Sequence, residues 1–196
     1  LQTRHGKRSG LASIKIGVDM LEEGILNKQQ LLDRINPVTI EEILHPTIDV
    51  NAEKVLLSKA LPASPGAVSG NIAFSSCRAE IMARDGKVIL VRNETNTEDI
   101  TGIAAAAGLL TSRGGMTSHA AVVARGLGKP CITGAFEVMV DYTNCVATIN
   151  NIRLHEGDLI TIDGSSGKIF LGKVKTFERK ADSSLSKLIK ISEEFA

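Results

Sequence analysis

The sequence predicts a mixed α/β domain with a helical N-terminal linker and a C-terminal linker helix. Three observations predict it. Between residues 53 and 173, short apolar runs alternate with brief helical patterns and glycine-bearing turns, as in a sheet with crossover helices. The runs "DLITID" and "KIFLG" flank a Gly/Ser turn and read as a hairpin. Outside that span, in residues 1–52 and 174–196, the apolar residues recur at helical spacing instead. Aromatics make up only 3% of the chain against 43% hydrophobic residues, so Ile, Val, Leu and Ala must build the core.

The elements follow in order. "SIKIGVDMLEEGI" sets Ile14, Ile16, Val18, Met20, Leu21 and Ile25 mostly on one helical face, with Gly24 as the stop. Asn27 is placed to cap a second helix, "KQQLLDRI", ended by Pro37. "TIEEILHP" reads as a third short turn of helix, with Thr39 as cap. "SPGAVSGNIAFS" is turn-rich and then alternates as a strand; "CRAEIMARDG" is a helix stopped at Asp85-Gly86. "KVILVR" is continuous enough for a strand buried on both faces. Thr97 is expected to cap the helix "EDITGIAAAA", with Glu98 and Asp99 suiting its dipole. "GLLTS" is a further strand. A final helix begins near Ser183 or Ser184, and its apolar face of Leu185, Leu188, Ile189 and Ile191 needs a partner.

Composition excludes several functions. A formal net charge of +1 gives no reason to expect nucleic acid or a membrane surface as partner. No apolar run approaches a membrane span. Cys77, Cys131 and Cys145 are scattered and odd in number, which argues against disulfides or zinc and for reduced thiols in an intracellular, reducing compartment. "LQTRHGKRSG" at the start lacks both an initiator Met and a signal-peptide pattern and reads as the interior of a longer chain.

The chemistry concentrates in "TSRGGMTSHAAVVARG", residues 111–126. A helix beginning near Thr117 or Ser118 leaves its first N–H groups unpaired and presents partial positive charge. Gly114 and Gly115 permit a tight turn and the close approach of a ligand. Such a mouth favours anions, phosphate above all. His119 stands in the first turn, where a neutral imidazole has a lone pair that can attack phosphorus. The phosphorylated product then carries negative charge at the positive helix end. Ala120, Ala121 and Ala124 let the helix lie close to a sheet, and Val122 and Val123 add apolar contact. Arg125 and Lys129 suit the helix C-terminus, although Arg125 could instead bind phosphate; Gly126 or Gly128 can close the helix. The plain alternative is that His119 only caps or packs, or that the mouth holds an anion without a covalent bond. A Ser118–His119 dyad is disfavoured, because neighbours on a helix point roughly 100° apart.

"GGMTSHAAVVARGLGKPCITG", residues 114–134, resembles the phosphohistidine signature of the phosphoenolpyruvate-utilising family. Met116, before Thr-Ser-His, points to the dikinase branch rather than to the synthase branch, the alternative within the family. "LQTRHGKRSG", "KIGVDMLEEG", "LHPTID", "ASPGAVSG", "VILVRNETNTEDI" and "HEGDLITIDGSSGKIFLG" resemble dikinase segments too, so the likeness covers nearly the whole chain. Pro130, where a Cys is usual, and Asn96-Thr97, where Ser-Pro is usual, depart from the pattern.

The resemblance implies a swivelling β/β/α phosphohistidine domain over residues 53–173. Residues 1–52 would be the end of an ATP-grasp domain and a helical linker, and 174–196 a linker helix toward a (β/α)8 barrel. It implies that His119 carries the phosphoryl group on Nε2, supported by Gly114, Gly115, Thr117, Ser118 and Arg125, while ATP, phosphate and pyruvate are converted to AMP, diphosphate and phosphoenolpyruvate. Thr117 matches a threonine phosphorylated for regulation in plant dikinases. Gln2 and Arg4 match residues lining the nucleotide and metal site, with Mg2+ held mainly by other domains and no metal in the carrier itself. The parent is expected to be a homodimer, in cytoplasm, plastid or glycosome.

Other candidates have simpler readings. His5 lies in a basic strand end, His45 at a helix end and His155 beside a turn, none with a second histidine at metal spacing. Asp163 to Gly167 reads as hairpin-turn chemistry, with the further expectation that a turn could lie beside the phosphoryl group.

Overall fold

The computed structural model describes residues 10–35, 40, 43, 45–49, 51–177 and 183–194. Gln2, Arg4, His5, Pro37 and Thr39 lie outside the described residues. The chain divides into two compact units, residues 45–177 and the segments 1–44 plus 178–196.

The smaller unit is helical. Helix α1 is Gly10–Glu22, α2 is Lys28–Arg34 and α6 is Ser183–Glu193. Gly24, at φ +74°, follows α1 as the sequence predicts. Asn27 caps α2 in a full capping box with Gln30. Ile14, Val18, Leu31, Ile43, Leu185, Leu188 and Ile191 form one core. The apolar face of α6 thus has its cover in α1 and α2, a partner the sequence alone did not identify. The face of α1 is also corrected at its end: Ile25 is exposed and Leu26 is buried, because the helix ends at Glu22 and both residues lie in the turn beyond it.

The larger unit has three layers. Its strands are β1 (Thr47–Ile48), β2 (Val55–Lys59), β3 (Leu61–Ser64), β4 (Ala67–Ala73), β5 (Val88–Arg92), β6 (Gly108–Thr111), β7 (Cys131–Thr133), β8 (Val138–Asp141), β9 (Val146–Ile149), β10 (Ile152–His155), β11 (Leu159–Asp163), β12 (Lys168–Leu171) and β13 (Thr176–Phe177). Helices α3 (Ser76–Met82), α4 (Ile100–Ala105) and α5 (His119–Gly126) lie between β4 and β7. The main sheet has eight strands in the order β2-β12-β11-β4-β5-β6-β7-β3. Strands β4 to β7 run parallel, as strand–helix–strand crossovers require, and the rest pair antiparallel. Only Ala60 separates β2 from β3, yet they occupy opposite ends of that order. The sheet therefore curls until one extended segment serves both edges, which removes the open edges of a flat sheet.

Each face of the sheet has its own core. Ile72, Ile89, Val91, Leu110, Ile132, Ile160 and Ile162 pack with Val138, Ala147, Ile149 and Leu154 of the small sheet β10-β9-β8. Ala73, Val88, Leu90, Leu109 and Cys131 pack with Ala79, Ile103, Ala106, Ala120, Ala121 and Ala124 of the helices. This small sheet, main sheet and helix arrangement is the expected β/β/α layering. Strand β5 is buried on both faces, as "KVILVR" predicts. Cys131 is buried, and burial pushes its thiol up to about 12, whereas Cys77 and Cys145 are exposed.

Two expected caps are corrected. Asn96, not Thr97, caps the turn before α4, in a capping box with Asp99. Asp99 stands in that first turn and is buried there: it accepts from Ser76 Oγ at 2.6 Å and the Asn96 N–H at 3.1 Å, and pairs with Arg92 at 3.4 Å. The Lys129 side chain does not serve its own helix. Its ammonium donates to the carbonyls of Ile103, Ala104 and Ala106 and so closes the end of α4. Burial holds its pKa below the usual lysine value.

Candidate functional site

The site is built where β6 ends and α5 begins. In a parallel sheet with crossover helices, that end of the strands collects loops and helix N-termini. Thr111 closes β6, and its hydroxyl donates to the Arg113 carbonyl at 2.8 Å, which tightens the exit of the strand. The Ser112 and Arg113 N–H groups donate to the carbonyls of Arg92 and Asn93 at 2.9 and 2.7 Å, tying the loop to the end of β5.

The two glycines play different parts. Gly114 has φ +107°, and a Cβ there would stand 2.9 Å from the Ser118 Cβ. Both backbone and space demand glycine. At Gly115 a Cβ would meet nothing within 4 Å, so its missing side chain leaves open room. Ser118 is the N-cap: it accepts from the Ala121 N–H at 3.4 Å, and its own N–H donates to Gly115 at 3.0 Å. His119 is accordingly the first residue of α5, and Thr117 lies outside the helix with its side chain exposed.

Ala120, Ala121 and Ala124 bring α5 close to the sheet, but Val122 faces outward. The far end closes on Gly128 at φ +63°, with the Lys129 N–H donating to Ala124 and the Gly128 N–H to Arg125. Arg125 does not turn toward that end. Its Nε donates to the Ala121 carbonyl at 3.1 Å and its Nη2 to the Met116 carbonyl, strapping the mouth loop to the helix.

His119 is half-buried, and its Nε2 is closed off from solvent without a hydrogen-bond partner. Arg92 Nε, Thr95 Oγ1 and Thr133 Oγ1 share that condition, and all belong to the carboxyl ends of the parallel strands or the loops that follow. Thr133 and Gly134 were not singled out by sequence. A Cβ on Gly134 would stand 3.0 Å from the Gly114 carbonyl, so the end of β7 presses on the mouth loop. The signal available was the glycine itself, at φ +63°.

The structure does not bring the 163–167 turn to this site. Gly164 packs against Ser64 and Cys131, and Gly167 against Ala60. Cys131 begins β7, so the turn lies at the opposite end of the parallel strands. His155 is exposed, beside Asp158 at 3.7 Å. Among the described residues no group of three or more His, Cys, Asp or Glu could hold a metal ion. No helix among them is long and apolar enough to cross a membrane.

Residues 84–167 match the family model for the PEP-utilising enzyme, mobile domain. The chain carries a mobile domain of the phosphoenolpyruvate-utilising enzymes. The compact unit that contains this mobile domain is larger than the matched span and includes β1 to β4, α3, β12 and β13 as well. The chain is 48% identical over 190 residues to a pyruvate, phosphate dikinase of Rhizobium meliloti, covering 96% of this chain and 21% of that protein. It is 47% identical over 183 residues to the enzyme of that name in Entamoeba histolytica, covering 93% and 21%. Against the chloroplastic pyruvate, phosphate dikinase 1 of Arabidopsis thaliana it is 47% identical over 177 residues, covering 88% and 18%. The chain thus spans about a fifth of the length of these relatives.

Proposed function

We propose that this chain is the phosphoryl-carrying part of a pyruvate, phosphate dikinase, with His119 as the carrier. The observation that carries the reading is the placement of His119 as first residue of α5, behind a glycine turn with open room at Gly115, its Nε2 lone pair engaged by no donor. The similarity to dikinases over almost the full chain supports it.

The step divides into parts that these residues can perform. The donor's phosphorus approaches the mouth, where the unpaired N–H groups of α5 face its oxygens. Nε2 forms a bond to phosphorus while the bond to the leaving oxygen breaks, and the leaving group takes the electron pair. With phosphoenolpyruvate as donor, the leaving group is the enolate of pyruvate, which gains a proton at carbon. In the opposite direction the phosphoryl group passes from Nε2 to the enolate oxygen. The group first reaches the histidine from ATP, as a pyrophosphoryl unit whose outer phosphate goes to inorganic phosphate. Nε2 faces inward in the structure, so the ring must turn outward for either step. Gly114, Gly115 and Ser118 shape the mouth, and Arg125 holds it through Met116 rather than by pointing at the phosphate. Thr117, exposed beside the histidine, is accessible to a regulatory kinase.

The ATP-grasp and barrel partners, the homodimer and the compartment belong to the same proposal. The relatives' greater length supports further domains. Mg2+ finds no fitting group of ligands among the described residues, and no step here is routed through it.

The test is labelling. The chain is mixed with a dikinase barrel, Mg2+ and phosphoenolpyruvate labelled in its phosphate. Acid-labile, base-stable label on the chain, lost entirely in His119→Gln with the fold retained, is expected. Label that persists in His119→Gln, or none at all beside an active barrel and under a chemical phosphoryl donor, overturns the carrier reading.

A further inference from the structure

Two buried polar atoms beneath the helix mouth lack partners, and their chemistry is complementary. One is His119 Nε2, the other Thr133 Oγ1. Thr133 is fully buried. The direction of its side chain follows from the alternation of β7: Cys131 belongs to the helix-side core with Ala120, Ala121 and Ala124, and Ile132 to the opposite core. Thr133 therefore projects toward the helix layer. Its height along the sheet follows from register. Leu110 is level with Ile132, so Thr133 stands level with Thr111, the last residue before the mouth loop. The chain beyond it is held there too. The Ala135 N–H donates to the Thr111 carbonyl at 3.0 Å, and Gly134 abuts the Gly114 carbonyl. A hydroxyl donates and a neutral imidazole nitrogen accepts, and a buried group of either kind is costly to leave unpaired.

We propose that Thr133 is the positioning residue for His119. Its hydroxyl donates to one buried water that in turn donates to Nε2, and this bridge holds the ring turned inward. This contact keeps the ring proton on Nδ1 and the Nε2 lone pair in place. The ring leaves it when it turns to the mouth. The contact stands on geometry alone; its consequence for phosphoryl uptake rests on the reading of His119 as carrier.

The test uses the chain labelled with 15N at histidine, with Thr133→Val and Thr133→Ala to remove the hydroxyl and Thr133→Ser to keep it. The two hydroxyl-free variants should shift the His119 Nε2 resonance and the tautomer ratio, and Thr133→Ser should return both toward the parent. Uptake from phosphoramidate should rise roughly two- to tenfold without the hydroxyl, the population change that one ordinary hydrogen bond supports. Unmoved His119 resonances in a folded hydroxyl-free variant overturn the proposal. A resonance that moves in a chain whose every form, parent included, refuses phosphate upholds the Thr133 contact and sinks the carrier reading instead.

Discussion

Two loops of this molecule are both built around glycines and serines and stand at opposite ends of the same parallel strands. The turn at residues 163–167 is Asp-Gly-Ser-Ser-Gly; the loop at 112–118 is Ser-Arg-Gly-Gly-Met-Thr-Ser. The first is closed on itself. Asp163 accepts from the Ser165 and Ser166 N–H groups at 3.0 and 3.3 Å and from the Ser166 hydroxyl at 2.5 Å, while Ser165 accepts from the Gly66 N–H at 3.0 Å. Its glycines are buried against backbone, with Cβ positions 2.0 Å from the Ser64 carbonyl at Gly164 and 2.1 Å from the Ala60 carbonyl at Gly167. The second loop keeps an open position at Gly115 and, beneath it, buried nitrogen and oxygen atoms without partners. Small polar residues and glycines make a sealed turn where their groups satisfy one another. They make an open mouth where those groups are left over.

Substitutions can break that contrast, beginning with the largest effect. Gly164→Ala drives a methyl into the Ser64 carbonyl and should cost ~3 kcal/mol in chemical denaturation; a shift well under 1 kcal/mol would mean the sealed turn yields. Gly114→Ala must hold a side chain at positive φ against Ser118 and should cost about 1–3 kcal/mol. Ser118→Ala removes the N-cap and should cost ~1 kcal/mol, measured the same way. Gly115→Ala sharpens the comparison most, because its stability should stay within ~0.5 kcal/mol of the parent. Its uptake of phosphate from phosphoramidate should nevertheless fall, since the new methyl stands in the open position. Uptake equal to the parent's would move the approach path away from Gly115.

The helix mouth was legible because its signals are local. A glycine at positive φ, a serine cap and a run of alanines each act through neighbours in the chain. The strand "KVILVR" was legible for a related reason, since a strand buried on both faces must be apolar along its length, and "DLITID" was legible because a Gly/Ser turn follows it. What escaped reading depends on distant partners. Lys129 reads as a cation suited to its own helix and closes α4 instead, about 25 residues upstream in the chain. Asp99 reads as a first-turn acid and is buried against Ser76 and Arg92. Arg125 left two directions open, and only the fold shows it reaching Met116. Thr133 carries no sequence signal at all, because a threonine in a strand is ordinary until its hydroxyl proves unpaired.

The short ribbon of β1 and β13 has a consequence of another kind. Thr47 pairs with Phe177 and Ile48 with Thr176, and the Asp49 N–H donates to the Lys175 carbonyl at 2.9 Å. The 45–177 unit is therefore entered and left by two antiparallel strands side by side. A unit with adjoining ends is suited to transplantation. Spliced into an exposed loop of an unrelated host through that ribbon, it needs no spacer to bridge its ends.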